Sequence, residues 1–143
     1  MKESHAWLAF ALGSAFFAGL TAILAKVGVE GINSNLATLI RTGVILLLAA
    51  ALVGVRSEWV GLANVSRNTW TFLLLSGIAT GLSWLCYFRA LQLAPASKVA
   101  PVDKLSVVVA IVLGLVILKE PASGRLLAGA LLVVTGTMLI ATA

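Results

Sequence analysis

The sequence predicts an all-α membrane protein with five transmembrane helices. Of its 143 residues, 61% are hydrophobic and 10% are charged, whereas a soluble domain is about half apolar and about a quarter charged. The mean hydropathy is +1.11. Apolar segments close to the roughly 20 residues that a helix needs to cross a bilayer occur five times. The short connections between them leave no room for a soluble domain.

Turn-forming or polar residues separate the five apolar segments. Residues 31–35 contain candidate N-cap side chains, and residues 56–68 are the longest polar connection. Pro95 and Pro121 interrupt the chain before the fourth and fifth segments. The predicted spans are residues 6–27, 36–55, 70–91, 99–118 and 125–143.

The first span is expected to be retained in the mature protein. It is longer than the apolar region of a typical signal peptide, and no clear cleavage site follows it. Small residues, among them Ser14 and Thr21, lie on one stripe of this helix. Such a stripe allows close helix packing, but it also suits a substrate path, and both interpretations stay open.

Glycines form similar small faces on the third and fifth spans. Gly77 and Gly81 make a G-x-x-x-G pattern, and Gly129 and Gly136 lie one heptad apart. Small residues let helices approach closely within lipid. The pattern favours packing inside the monomer over a dimer face, without excluding the latter.

Three charged residues lie where the second and fourth spans cross the membrane. The unbroken apolar run after Asp103 and Lys104, residues 105–118, has 14 residues and would be about 21 Å long as a helix. The run after Arg41, residues 44–55, has 12 and would be about 18 Å long. Because the hydrocarbon core is about 30 Å thick, all three charges are predicted to be immersed, at similar depth.

Two interpretations of these charges stay open. In the first, Pro101 lies in the first turn of the fourth helix, Asp103 stabilises the N-terminal end of its dipole, and Lys104 and Arg41 reach out to the headgroups. In the second, the charges face a wet cavity on a substrate or ion path. Asp103 and Lys104 point about 100° apart on a helix and need not pair. We therefore expect Asp103 to pair with Arg41.

Polar and aromatic residues near these charges are candidates for lining the path. Ser106 follows Asp103 on the fourth span, and the third span carries Trp84 and Tyr87. Single aromatic residues in such spans are more often core or lipid contacts. Together they would form an amphipathic wall for an organic solute.

The basic residues do not fix the orientation. Five spans place the termini on opposite sides, and the ten basic residues divide equally. Lys2, Arg56, Arg67, Lys119 and Arg125 lie on the N-terminal side, and Lys26, Arg41, Arg89, Lys98 and Lys104 lie on the other. If Arg41, Arg89 and Lys104 are counted as intramembrane, the bias favours a cytoplasmic N-terminus. Dual topology and a single fixed orientation both remain open.

The order of features in the second half resembles the EamA domain of the drug/metabolite transporter superfamily. The matching stretches are CYFRALQLAPASKVAP, an apolar run ending in LKEP, and GRLLAGALLVVTGTML. The resemblance covers nearly the whole chain as one five-span repeat unit. Tyr87 matches the end of the family's third helix, Pro101 the proline opening the fourth, Glu120 the acid closing it, and Gly129 and Gly136 the glycines of the fifth.

This resemblance implies export of small organic metabolites or drugs, driven by an ion gradient, in a bacterial or archaeal plasma membrane. Most family members have two such domains. Because each has an odd number of spans, the second lies in the membrane in the opposite orientation to the first. A single copy would rebuild that arrangement as an antiparallel homodimer in the bilayer. The related small multidrug resistance family has an essential acid in its first helix, and residues 6–27 contain none. Asp103, the only acid within a predicted span, is the candidate for proton coupling.

Other function classes have little support in the sequence. The basic residues form no patch or arm of the kind that binds nucleic acid. The single cysteine, Cys86, provides neither a disulfide nor metal-type spacing. No paired carboxylates or nucleophile–base motif indicates an enzyme, and no cofactor is expected. The alternative to a homodimeric transporter is a half-transporter or accessory subunit that needs a different partner chain.

Overall fold

A computed structural model describes residues 6–143, and this part of the chain is helical, without strands. Its elements are α1 (Ala6–Gly28), α2 (Ser34–Val55), a 3-10 helix (Glu58–Asn64), α3 (Arg67–Leu93), α4 (Ala96–Asp103), α5 (Leu105–Ile117) and α6 (Gly124–Thr142). Five segments of the described chain are long and apolar enough to span a membrane, with α4 and α5 together forming the fourth. The predicted all-α, five-span fold is confirmed. Lys2, which entered the charge count, lies outside the described residues.

The chain divides into two compact units. Gly28–Gln92 forms one, which we call the central unit and which contains α2, the 3-10 helix and nearly all of α3. The other, which we call the terminal unit, contains α1 and the chain from Leu93 onward, including α4, α5 and α6. In the terminal unit, α6 packs against both α4 and α5.

Helix α2 begins two residues earlier than the sequence predicts, at Ser34 instead of residue 36. Asn33 is its N-cap, and its Oδ1 accepts a hydrogen bond from the backbone N–H of Asn35 at 2.8 Å. Gly31 precedes it with φ of 80°, a conformation that glycine adopts readily. The buried hydroxyl of Thr38 donates to the Ser34 carbonyl at 2.9 Å, which satisfies this polar group inside an apolar span.

The fourth span corrects one prediction about the local structure. Its helix begins at Ala96, behind Pro95, and not at residue 99. Pro101 therefore lies inside α4 instead of opening the helix, and Asp103 is the last residue of α4 instead of lying near a helix N-terminus. The reason is that Pro95 supplies the helix start: its carbonyl accepts hydrogen bonds from the backbone N–H groups of Lys98 and Val99, at 3.0 and 3.1 Å.

The fourth span is interrupted at Lys104. Pro101 has no backbone N–H, so the regular bonding pattern of an α-helix loses one bond in this turn. Lys104 N–H then bonds to the Pro101 carbonyl at 3.0 Å, and Val107 N–H to the Lys104 carbonyl at 3.0 Å. Both bonds span three residues, the pattern of a tighter 3-10 turn. The span consequently consists of two helices joined at one residue.

The end of the fourth span is closed by backbone hydrogen bonds, and the start of the fifth by a side chain. Leu118 and Glu120 both donate their backbone N–H to the Gly114 carbonyl, at 3.1 and 3.2 Å. Ser123 caps α6, and its Oγ accepts a hydrogen bond from Leu126 N–H at 3.1 Å. These contacts satisfy backbone groups that helix ends leave without intrahelical partners.

Candidate functional site

Arg41 is the charged side chain with the most extensive aromatic contacts in the central unit. Its Cζ atom lies 4.2 Å from the centroid of the Trp84 ring and 5.4 Å from that of Phe88. Both distances are within the range of a cation–π interaction. The side chain is half-buried, and Phe88 is buried. The guanidinium is therefore held against α3 by two rings.

Helical spacing explains this arrangement. Trp84 and Phe88 are four residues apart on α3, so their side chains lie on the same face. Arg41 is seven residues after the start of α2, about 10 Å along that helix. Tyr87 is next to Phe88, and their rings pack edge to face with centroids 6.4 Å apart. The two helices thus bring one cation and a cluster of aromatic rings together.

The central unit offers Arg41 no anionic partner. Among the described residues of this unit, the ion pair is Arg56–Glu58, at 3.9 Å, and the guanidinium of Arg41 makes neither an ion pair nor a hydrogen bond there. A cation at the centre of a membrane helix costs about 2.5–3.5 kcal/mol on insertion scales. A cation–π contact returns about 0.5–2 kcal/mol. The rings therefore offset part of the cost and leave the guanidinium with unused donors.

The terminal unit contains the other two predicted charges. Lys104 Nζ lies 3.5 Å from Asp103 Oδ2, at the junction of α4 and α5. The side chains are 54% and 36% exposed, so this is a partly solvated pair. The sequence argument that adjacent residues need not pair assumed a continuous helix, and the helix is broken at Lys104. The expected Asp103–Arg41 pair joins the two units and stays a prediction.

A cleft of about 450 Å³ lies beside this junction, between α4 and α6. It is shallow and widely open. It is lined by Ala100, Pro101, Lys104, Leu132, Val133, Gly136 and Thr137. The buried Thr137 hydroxyl donates to the Pro101 carbonyl at 3.3 Å, which ties the two walls together. The lining is almost entirely apolar, and Lys104 is the charged residue that contributes to it.

The two units divide the remaining candidates. Trp84 and Tyr87 lie with Arg41 in the central unit, both half-buried. Ser106 is exposed on α5 in the terminal unit, and on α1 of the same unit Ser14 is exposed and Thr21 half-buried. Whether these residues form one path with Asp103 and Lys104 stays a prediction.

The glycines predicted to pack have open space around them. A Cβ built at Gly77, Gly81, Gly129 or Gly136 meets no atom of the described chain within 4 Å. Gly136 is nevertheless part of the cleft wall. The room at the other three is available to lipid or to another chain, and a packing or dimer contact through them stays a prediction.

The sequence reasoning missed Gln92, a polar residue at the end of α3. Its Nε2 donates to the Ile32 carbonyl at 2.7 Å and, more weakly, to the Val29 carbonyl at 3.4 Å, while its Oε1 accepts from Arg89 Nη1 at 3.0 Å. These bonds fix the end of α3 to the connection before α2. An amide in the last turn of an apolar helix, three residues after an arginine, was the available signal.

Comparison with known proteins identifies the chain's relatives. The EamA-like transporter family matches residues 5–142. A Sinorhizobium protein described as "Uncharacterized transporter in cobO 3'region" is 49% identical over 138 residues, which is 96% of this chain and 98% of that protein. No solved structure matches significantly. In residues 6–143, no group of three or more His, Cys, Asp or Glu side chains is placed to hold a metal ion.

Proposed function

Because this chain belongs to the EamA-like transporter family and is an integral membrane transporter, we propose that it is a secondary transporter that exports small organic metabolites or drugs. The membrane is the plasma membrane of a bacterium or archaeon, in keeping with its bacterial relative. The transported molecule leaves chemically unchanged, so the protein is not an enzyme and needs no cofactor.

The observation that carries this proposal is the odd number of spans. Five spans put the two ends of the chain on opposite sides of the membrane. Secondary transporters commonly surround a central site with two inverted repeats. A second copy in the opposite orientation would supply the other repeat. The near balance of basic residues on the two sides is compatible with insertion in both orientations. We therefore propose an antiparallel homodimer.

The apolar side chains of the spans are largely exposed, which leaves surface for a second protein chain. Between 6% and 11% of the residues in the most apolar part of each span are buried. The remaining apolar surface has to be covered by lipid or by another chain. Glycine-containing faces such as those at Gly77 and Gly81 allow the closest approach.

Asp103 is the proposed coupling group. In its charged form it pairs with Lys104, and protonation would remove this attraction at the junction of two helices. A change in the protonation of one carboxylate would then alter the balance of charge beside the cleft. This gives a gradient-driven transporter a physical means of linking proton binding to the shape of its fourth span.

Two-sided labelling of the termini tests the antiparallel dimer. In a Cys86→Ser background, Ala6→Cys and Ala143→Cys would each be exposed to a membrane-impermeant maleimide in right-side-out and in inverted vesicles. We expect each cysteine to be labelled from both sides. Labelling of each from one side alone would contradict dual insertion.

Cross-linking of the purified protein in lipid distinguishes the alternative. A homodimeric transporter forms cross-linked dimers from this chain alone. A half-transporter or accessory subunit would instead remain monomeric until a different five-span chain is supplied.

A further inference from the structure

We propose that Arg41 is an anion-binding residue and that the transported compounds carry a carboxylate, sulfonate or phosphate group next to an apolar ring or chain. This inference rests on the proposed transport function and adds the charge class of the substrate. Its starting point is the half-buried guanidinium stacked on α3.

The contact with Trp84 stabilises the charge of Arg41 without using its hydrogen-bond donors. A ring face attracts a cation through its quadrupole, whereas the guanidinium has five N–H groups arranged to bind planar oxyanions in a bidentate manner. Among the described residues of the central unit, none of these groups is engaged by a carboxylate. The Arg41 guanidinium is therefore held in place by the rings, while its positive charge has no carboxylate partner within the central unit.

The carboxylates of the central unit are placed elsewhere. Glu58 pairs with Arg56 next to the 3-10 helix, and Glu30 precedes the start of α2. A ligand oxyanion would complete the site, and the half-buried rings of Trp84 and Tyr87 would contact its apolar part.

A lipid phosphate is the other source of the same oxyanion chemistry. Arg41 is about 10 Å along α2, where a long side chain could also reach a headgroup. The test therefore has to be made with and without phospholipid. A solute site binds its anion in both conditions, whereas a headgroup site is already occupied when phospholipid is present.

Trp84 provides the reporter for this test. The substitutions Trp7→Phe, Trp59→Phe and Trp70→Phe leave Trp84 as the single tryptophan. Its fluorescence would be titrated with benzenesulfonate and with benzyltrimethylammonium, a cation of similar ring and size. Measurements in dodecyl maltoside and in phosphatidylcholine nanodiscs supply the two conditions.

We expect benzenesulfonate, and not the cation, to change Trp84 fluorescence saturably in both media. Arg41→Gln should weaken this binding about tenfold or more, because a charge-assisted bidentate contact is lost. Arg41→Lys should weaken it less, since the charge remains while the fork is lost. Arg56→Gln is the matched control in the same unit and should bind normally. Gel filtration of each variant confirms folding.

Several outcomes would overturn the inference. These are no saturable response to benzenesulfonate in the wild type, equal binding of the cation, or unchanged binding by a folded Arg41→Gln protein. Binding in maltoside that disappears in phosphatidylcholine discs would assign the guanidinium to lipid phosphate. Flux in proteoliposomes separates this inference from the proposed function. Export of benzyltrimethylammonium by a protein that does not bind benzenesulfonate would support transport and contradict the anion site. Binding of benzenesulfonate without flux of either compound would support the anion site and contradict transport.

Discussion

The central and terminal units keep charge in an apolar span in two different ways. The central unit places Arg41 on an unbroken helix and covers it with the rings of Trp84 and Phe88. The terminal unit places Asp103 and Lys104 at a helix junction, where they pair with each other and remain partly exposed. The first arrangement holds one net positive charge against two aromatic rings. The second holds no net charge and lies where the backbone is already interrupted.

We propose different roles for the two arrangements. A cation stacked on aromatic rings, without a carboxylate partner in its own unit, would suit ligand recognition. A partly exposed pair at a helix junction would lose its attraction if Asp103 were neutralised, which would suit the proposed coupling role. Each of the following predictions tests one side of that comparison.

The largest effect is expected from removing the aromatic cover. Trp84→Ala deletes the closest ring to the Arg41 guanidinium and should lower the free energy of unfolding by about 2 kcal/mol, the upper range of a desolvated cation–π contact. Reversible unfolding in mixed micelles with increasing SDS would measure it. Trp70→Ala, near the start of α3 and 43% exposed, is the control and should change stability little. Equal effects of the two substitutions would contradict a special role for Trp84.

The next effect concerns the proposed proton-coupling role of Asp103. Asp103→Asn removes the titrating carboxylate, and we expect substrate flux to fall about tenfold, equivalent to about 1.4 kcal/mol, with its dependence on external pH lost. Flux in proteoliposomes across a series of pH gradients would measure both. Glu58→Gln is a matched control, because Glu58 also pairs with a basic residue but lies outside the spans. An Asp103→Asn protein with the wild-type pH response would exclude this role.

A smaller effect is expected at the bond beside the helix junction. Thr137→Val removes the hydroxyl that donates to the Pro101 carbonyl and should destabilise the protein by about 0.6 kcal/mol, the average for hydrogen bonds between membrane helices. Thr135→Val is the control, since the Thr135 hydroxyl bonds only within its own helix, to Leu131. The difference between the two unfolding free energies is the value to compare. No difference would mean that the α4–α6 bond does not stabilise the junction.

The smallest effect is expected at Gly114. A Cβ there would lie 2.9 Å from Glu120 Oε2, but that atom is at the end of a flexible, exposed side chain. Gly114→Ala should therefore change stability by only a few tenths of a kcal/mol. The small cost of moving the Glu120 side chain aside is offset by the higher helix propensity of alanine. Gly43→Ala in α2, where no atom lies within 4 Å, is the comparison and should be slightly stabilising. A loss of more than about 1 kcal/mol at Gly114 would show that the Glu120 side chain has a fixed position.

The sequence was sufficient for the spans because membrane helices are defined by length and hydropathy, which are local properties. The start of the fourth span was misplaced because two prolines, Pro95 and Pro101, could each begin a helix, and backbone hydrogen bonding decides between them. The stacking of Arg41 on Trp84 was only partly foreseen. Both residues were candidates, but which helices meet at which register depends on tertiary packing. Gln92 was missed for the same reason, since its partners are backbone carbonyls about 60 residues away.

The interruption at Lys104 also affects how the fourth span responds to bilayer thickness. The pieces of 8 and 13 residues are about 12 and 20 Å long. A continuous helix such as α2 adapts to a thinner bilayer by tilting as a whole. The fourth span has 3-10 bonding at Lys104, so we expect it to respond also by a change of angle at that residue. Because α4 and Lys104 form one wall of the cleft, lipid acyl-chain length is then expected to alter the shape of the cleft.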